Sequence, residues 1–197
     1  MEIEARIELA ALVSWAHAKG WAPGTGGNFS RLLSTDPFAL LITPSGLDKG
    51  SIGADDLIIV DASGQKIKGK GNPSAETLIH VTIVEETGAT AIAHTHSIWN
   101  TLASLHGDVY TMSGFEMLKG LAGVLTHQHV ENIPVLDNSQ DMVAFSQTLR
   151  PRLKDTHAVL LRGHGLYTWG HNMFEARRHL EVLEFLFELN QRARRMD

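Results

Sequence analysis

No cysteine occurs among the 197 residues of this chain. That excludes a disulfide framework and any thiolate-held zinc site, and it suits a reducing compartment such as the cytoplasm. A transition metal would therefore have to rest on imidazole and carboxylate. Long apolar runs are also missing, and no stretch approaches the roughly 20 residues of a membrane-spanning helix. The opening MEIEARIELA is acidic and amphipathic, unlike a secretory signal. Positive charge is in deficit as well, with 17 Lys and Arg against 22 Asp and Glu and a net charge of −5, which argues against a nucleic-acid partner. The basic QRARR near the C-terminus reads as a helix end that complements the macrodipole. Repeats, low-complexity segments and linkers are absent, so residues 1–197 are expected to form a single domain.

Histidine, by contrast, is plentiful: there are eleven. Two of them close the apolar run TAIAHTHSIWN. In a strand, residues two apart point to the same side, so His94 and His96 would face one spot. A third, His164, follows the strand-like HAVLLR between Gly163 and Gly165, where glycines let the chain turn sharply and leave room beside the imidazole. Three histidines at strand ends are the ligand set of a catalytic zinc that keeps a position open. Each of these features is also compatible with an ordinary turn or a hydrogen-bonding histidine.

The hydrophobic spacing predicts a helix over 3–19 ended by Gly20, a glycine-rich turn leading into a strand at GTGGNFSRLL, and strands over 38–43 and 56–61 with a hairpin turn at 63–65. A helix over 72–87 would carry Pro73 in its first turn and Asn72 or Ser74 as cap. A strand over 89–96, a helical stretch to about 106, a strand at NIPVL and a helix over 139–153 follow. Then come a strand over 157–162 continued by LYTWG, and a long amphipathic helix over 173–195. Short hairpin strands mixed with helices suggest a mainly antiparallel sheet covered by helices.

Two loops resemble anion cradles. GTGGNFS offers main-chain N–H groups near Gly26 and Gly27 and the amide of Asn28, while TPSG offers the Ser45 hydroxyl and the Gly46 N–H. Ser74, at a helix start, would add a donor where the helix dipole favours phosphate. Glu76 sits in the expected first helical turn, with His80 one turn on as a hydrogen-bond neighbour. Glu116, between Phe115 and Met117, either has its pKa raised by an apolar setting and moves protons, or pairs with Lys119 on a short helix. The remaining histidines (His17, His106, His157, His171 and His179) need only surface placement, and THQHV, with His127 and His129, reads as a loop.

GTGGNFS, TPSG, PSAE, HTHS and GHGLYTWG, in this order, resemble the class II aldolase family of sugar-phosphate enzymes. The resemblance implies an α/β fold, with α/β/α layers around a mainly antiparallel central sheet. It also implies one Zn2+ per subunit on His94, His96 and His164, and a homotetramer with the site near a subunit interface. Phosphate contacts fall on Gly27, Asn28, Ser45, Gly46 and Ser74, with Lys119 as a further candidate for the substrate. The second serine of the usual motif is Ala75 here. APGTGGNFS, TPSGLDKG, FEMLKG and RGHGLYTWG look most like the branch that removes water from a methylthio-bearing pentulose 1-phosphate in methionine salvage. That branch implies Glu116 as acid/base, with Glu76 as the other candidate. Phe115, Met117, Leu118 and Trp99 are candidates for the methylthio end. Aldolases and epimerases of the family resemble one another in using a C-terminal tyrosine, whereas this chain has only Tyr110 and Tyr167. Aldolase or epimerase activity, of the fuculose- or ribulose-phosphate type, is the alternative. A scaffold without metal chemistry is a third possibility, against which an intact histidine set argues.

Overall fold

The computed structural model describes residues 2–193. Helix α1 (Glu2–Ala18) precedes strands β1 (Asn28–Thr35), β2 (Phe38–Ile42), β3 (Ile58–Val60) and β4 (Lys66–Lys68). Helix α2 (Thr77–Thr87), strand β5 (Ala91–Thr95), helix α3 (Ile98–Ala103) and strands β6 (Val109–Ser113) and β7 (Val130–Leu136) follow. Helix α4 (Met142–Leu149), strands β8 (Ala158–Leu161) and β9 (Gly165–Gly170) and helix α5 (Met173–Ala193) complete the described chain. The nine strands of the described residues lie in the order β4-β3-β2-β1-β5-β9-β8-β7-β6. Every neighbouring pair among them is antiparallel except β7 and β8.

Period-2 alternation sends the strands' side chains to two cores. Phe29, Leu41, Ala93, Leu160 and Leu166 pack with Leu9 and Val13 of α1 and Leu183 and Phe187 of α5. Leu40, Ile42, Ile92, Val159 and Tyr167 pack on the opposite face with Ile79 and Ile83 of α2 and Phe145 and Leu149 of α4. The result is an α/β/α sandwich, as expected. Leu183 and Phe187 are wholly buried, and each such side chain contributes about 1.5–3 kcal/mol.

Three elements differ from the sequence-based expectation. Helix α2 starts at Thr77, not near Asn72, because residues 72–76 are tied elsewhere. The Asn72 carbonyl accepts the Ser45 N–H at 2.9 Å and the Ser74 hydroxyl accepts the Glu76 N–H at 3.2 Å. Pro73 is therefore outside the helix and Ser74 is not its cap; Glu76 is. LYTWG does not continue β8 but forms β9, which folds back antiparallel on it. Strand β6 is additional to the expected elements, although VYTMS alternates between exposed and buried positions. Of QRARR, Arg194 and Arg195 lie outside the described residues.

Candidate active site

His94 is the last residue but one of β5, and His96 lies just past the strand's end. His164 occupies the turn between β8 and β9. Since β9 pairs with β5, the two termini meet. The His94 Nε2 lies 2.7 Å from His96 Nε2 and 3.3 Å from His164 Nε2. One nitrogen from each of the three imidazoles falls within 4.8 Å of the others. The His94 Nδ1–H donates to the Leu166 carbonyl at 2.9 Å, which leaves Nε2 with its lone pair toward its neighbours. Tyr167 stacks flat on the His94 ring, with centroids 3.9 Å apart. Burial, followed by the charges of His96 and His164, holds His94 well below the usual histidine value. Burial, then His164 and then Lys49, brings His96 down to about 4. Neutral imidazoles are the form a metal ion needs.

Two glycines make this convergence possible. A Cβ on Gly165 would stand 2.2 Å from the Thr95 carbonyl and 3.1 Å from the His96 ring. Gly27 has φ +78°, and a Cβ there would meet the His94 carbonyl at 2.6 Å. Any larger residue at either place would push a histidine-bearing segment away.

Glu76 lies against the triad, its carboxylate 3.2 Å from His164 Nε2 and 3.6 Å from His94 Nε2. It is oriented by a buried chain of donors. The Asn28 amide donates to Glu76 at 2.5 Å and its oxygen accepts from His80 Nε2, while His80 Nδ1 accepts the Ser30 hydroxyl at 2.7 Å. Burial drives His80 down to about 3, so it stays neutral. His80 thus reaches Glu76 through Asn28 and not directly, as helical spacing suggested. The Tyr167 hydroxyl is kept protonated by burial first and then by the nearby Glu76 charge.

A cavity of about 170 Å³ joins the histidines to both loops. Its walls include Gly27, Asn28, Ser45, Gly46, Ser74 and Glu76 together with His96 and His164. Every phosphate candidate except Lys119 lines it. A larger groove of about 760 Å³ runs beside α1 and β1–β4. There Glu2 is already engaged by Arg6 and Lys68, each at 2.9 Å.

Glu116 and Lys119 are elsewhere. Glu116 is 71% exposed, bonded to Lys119 Nζ at 2.7 Å and 3.8 Å from His127 Nδ1. The apolar setting considered for it is absent, and the Lys119 hydrogen bond lowers its pKa instead of raising it. Of the apolar candidates, Leu118 is buried in the core, Phe115 and Trp99 pack partly against that core, and Met117 is exposed.

Three buried charged residues, Glu184, Lys49 and Glu131, were not singled out from the sequence. Glu184 of α5 accepts from Ser97 Oγ (2.6 Å), Asn100 Nδ2 (2.8 Å) and Thr95 Oγ1 (3.3 Å), and so fixes the residues on both sides of His96. Burial pushes its pKa up to about 7. Its signal was legible: position 184 falls on the apolar stripe of Leu180, Leu183 and Phe187. Lys49, 1% exposed, bridges the two cradle loops, and nothing in its local sequence marks it. His157 and His179 are also not surface groups. His157 Nδ1 meets buried Glu131 at 3.0 Å, and His179 Nε2 accepts the Ala122 N–H at 2.9 Å.

The fold and histidine site are those of metal-assisted sugar-phosphate enzymes, and the chain belongs to the class II aldolase family: the family model described as Class II Aldolase and Adducin N-terminal domain matches residues 7–190. Among curated proteins it is similar to methylthioribulose-1-phosphate dehydratase of Yersinia enterocolitica serotype O:8 / biotype 1B, at 40% identity over 97% of this chain and 94% of that one. The protein of the same name from Pectobacterium carotovorum subsp. carotovorum is 42% identical over 96% and 94%. Among solved structures, YgbL from Escherichia coli superposes with a TM-score of 0.81 at 28% identity, covering 95% of this chain and 88% of that one. L-fuculose-1-phosphate aldolase from Thermus thermophilus, at 24% identity, 98% and 97% coverage and a TM-score of 0.78, shares the fold.

Proposed function

We propose that this chain is a metal-dependent dehydratase acting on 5-methylthioribulose 1-phosphate in methionine salvage, in the cytoplasm. The observation that carries the proposal is the convergence of three imidazoles beside a cavity that His96 and His164 line together with both glycine-containing loops. The relatives at 40–42% identity support the choice of reaction. The donor set suits zinc: three imidazole nitrogens without thiolates, with a position left open. When bound by His94, His96 and His164, the ion would supply a Lewis acid at the substrate's carbonyl.

The chain's own residues do the rest. Main-chain N–H groups at Gly27 and Gly46 and the Ser45 and Ser74 hydroxyls hold the phosphate. Asn28 keeps the Glu76 carboxylate turned toward the keto end. Glu116, supplied by a second copy in a homotetramer, removes the proton from the third carbon and returns it to the hydroxyl leaving the fourth. Water departs, and the enol left behind tautomerises to the 2,3-diketone.

Two features support a site completed by a second copy. The cavity of about 170 Å³ is smaller than the roughly 300–1,000 Å³ of small-molecule sites. Glu116 is itself exposed, and the stretch 109–130 that carries it also exposes Val109, Met117, Leu125 (87% exposed) and Val130 to solvent.

The test is product analysis by mass spectrometry with the zinc-loaded enzyme. A product lighter by one water is expected, whereas carbon–carbon cleavage fragments would make the chain an aldolase. Glu116→Gln should abolish turnover and leave metal content intact; full activity in that variant would remove Glu116 from the mechanism.

A further inference from the structure

Lys49 is a buried cation that forms no ion pair among the described residues, with only the neighbouring Asp48 charge acting on it from a distance. Its side chain is among the largest that are wholly enclosed in this protein. Nζ donates to the Thr25 carbonyl and to the Leu47 carbonyl, both at 2.9 Å. The first belongs to the GTGG loop and the second follows the TPSG loop. The Lys49 main-chain N–H adds a third tie, to the Gly24 carbonyl at 2.8 Å. Among the described residues no carboxylate forms an ion pair with Nζ within 4.0 Å. The adjacent Asp48 instead accepts the Gly50 N–H at 3.2 Å.

Two carbonyl dipoles satisfy two of the three ammonium N–H groups but do not neutralise the charge. Burying a charge with no partner is costly, and a bound anion would supply the missing partner. Lys49 lines the same cavity as Gly27, Ser45, Gly46 and Ser74. Those groups are all neutral donors, so the cradle otherwise has no net positive charge with which to meet a dianion.

We propose that Lys49 is a phosphate-binding residue, whose ammonium, anchored to both loops, supplies the positive charge of the phosphate site. This rests on the phosphorylated-substrate reading above and adds a residue to it. The lysine acts twice: it sets the distance between the two loops, and it pairs with a phosphate monoester lying between them.

Titration of zinc-loaded enzyme with inorganic phosphate, followed by calorimetry, tests this without turnover. Wild type should bind, Lys49→Met should lose at least tenfold in affinity at unchanged zinc content, and Lys49→Arg should recover part of the loss. In turnover, Lys49→Met should raise KM far more than it lowers kcat. A Lys49→Met protein that binds phosphate like wild type overturns the proposal and leaves Lys49 as a strut. So does a wild type that binds no phosphate. Should Lys49→Met not fold, a crystal structure of wild type with phosphate decides: an anion within hydrogen-bond distance of Nζ supports the assignment, and one bound elsewhere, or none at saturating concentration, overturns it. The dehydratase reading fails separately, through the product, even where Lys49 holds phosphate.

Discussion

At Asn28 one carboxamide faces two partners. Its NH2 orients Glu76 and its oxygen receives the proton of buried His80. Asn28→Ala removes the first and strands the second. Outer-shell partners of this kind are typically worth ten- to a hundredfold in metal affinity or activity. Asn28→Ala should therefore fall by about that factor, read by zinc titration and by kcat, and wild-type values for both would sink the role given to Glu76. The His94–His96 pair was legible because the period of a strand is a local property. The link from Asn28 to Glu76 was not, because it depends on β1 pairing with β5 in the register that places Asn28 opposite His94. Lys49 was missed for the same reason, since its partners come from two loops.

Among the elements, β7 and β8 share the one parallel pairing among the described strands, and a buried ion pair links the starts of these two strands. Glu131 bonds both His157 and His129, and His157 Nε2–H also donates to the Ala122 carbonyl at 2.9 Å. Burial alone would lower the pKa of His157, but the Glu131 hydrogen bond and charge override it and the net shift is upward. Burial alone would raise Glu131, but its histidine partners override that and the net shift is downward. The His157 contribution is then fully present below its ordinary value of 6.5 and is lost as pH rises through the raised folded value. The Glu131 contribution is present above 4.5 and is lost as pH falls through the lowered one. His157→Gln should be destabilised by about 3 kcal/mol near pH 6, with the gap to wild type closing as pH rises. Urea midpoints taken from pH 5 to 9 test this, and a gap constant across the series would contradict it. The helix over 77–87 shows how local signals mislead: Pro73 and Ser74 are good initiators, but the segment is held by Ser45 and Asn28 before it can coil.

For the whole molecule, the question is where Glu116 meets the histidines. If each site takes its triad from one copy and Glu116 from another, two inactive variants should complement. Glu116→Gln and His164→Gln, co-expressed, should recover about a quarter of wild-type activity, since about one site in four combines the intact halves. No recovery in purified mixed oligomers would place Glu116 and the triad in one chain. A mainly antiparallel sheet covered by helices was legible, because alternating strands and amphipathic helices determine which faces must be covered; the α/β/α layering came from the family resemblance alone. Assembly was not, since an exposed leucine such as Leu125 has no periodicity to betray its partner. The strand order also has a consequence for biosynthesis. β5 lies between β1 and β9, and all five of its residues are buried. On the ribosome its second edge stays open until residues 165–170 have emerged, roughly seventy residues after β5 itself. During that interval the nascent chain presents an unpaired apolar strand, the kind of edge that recruits chaperones or neighbouring chains.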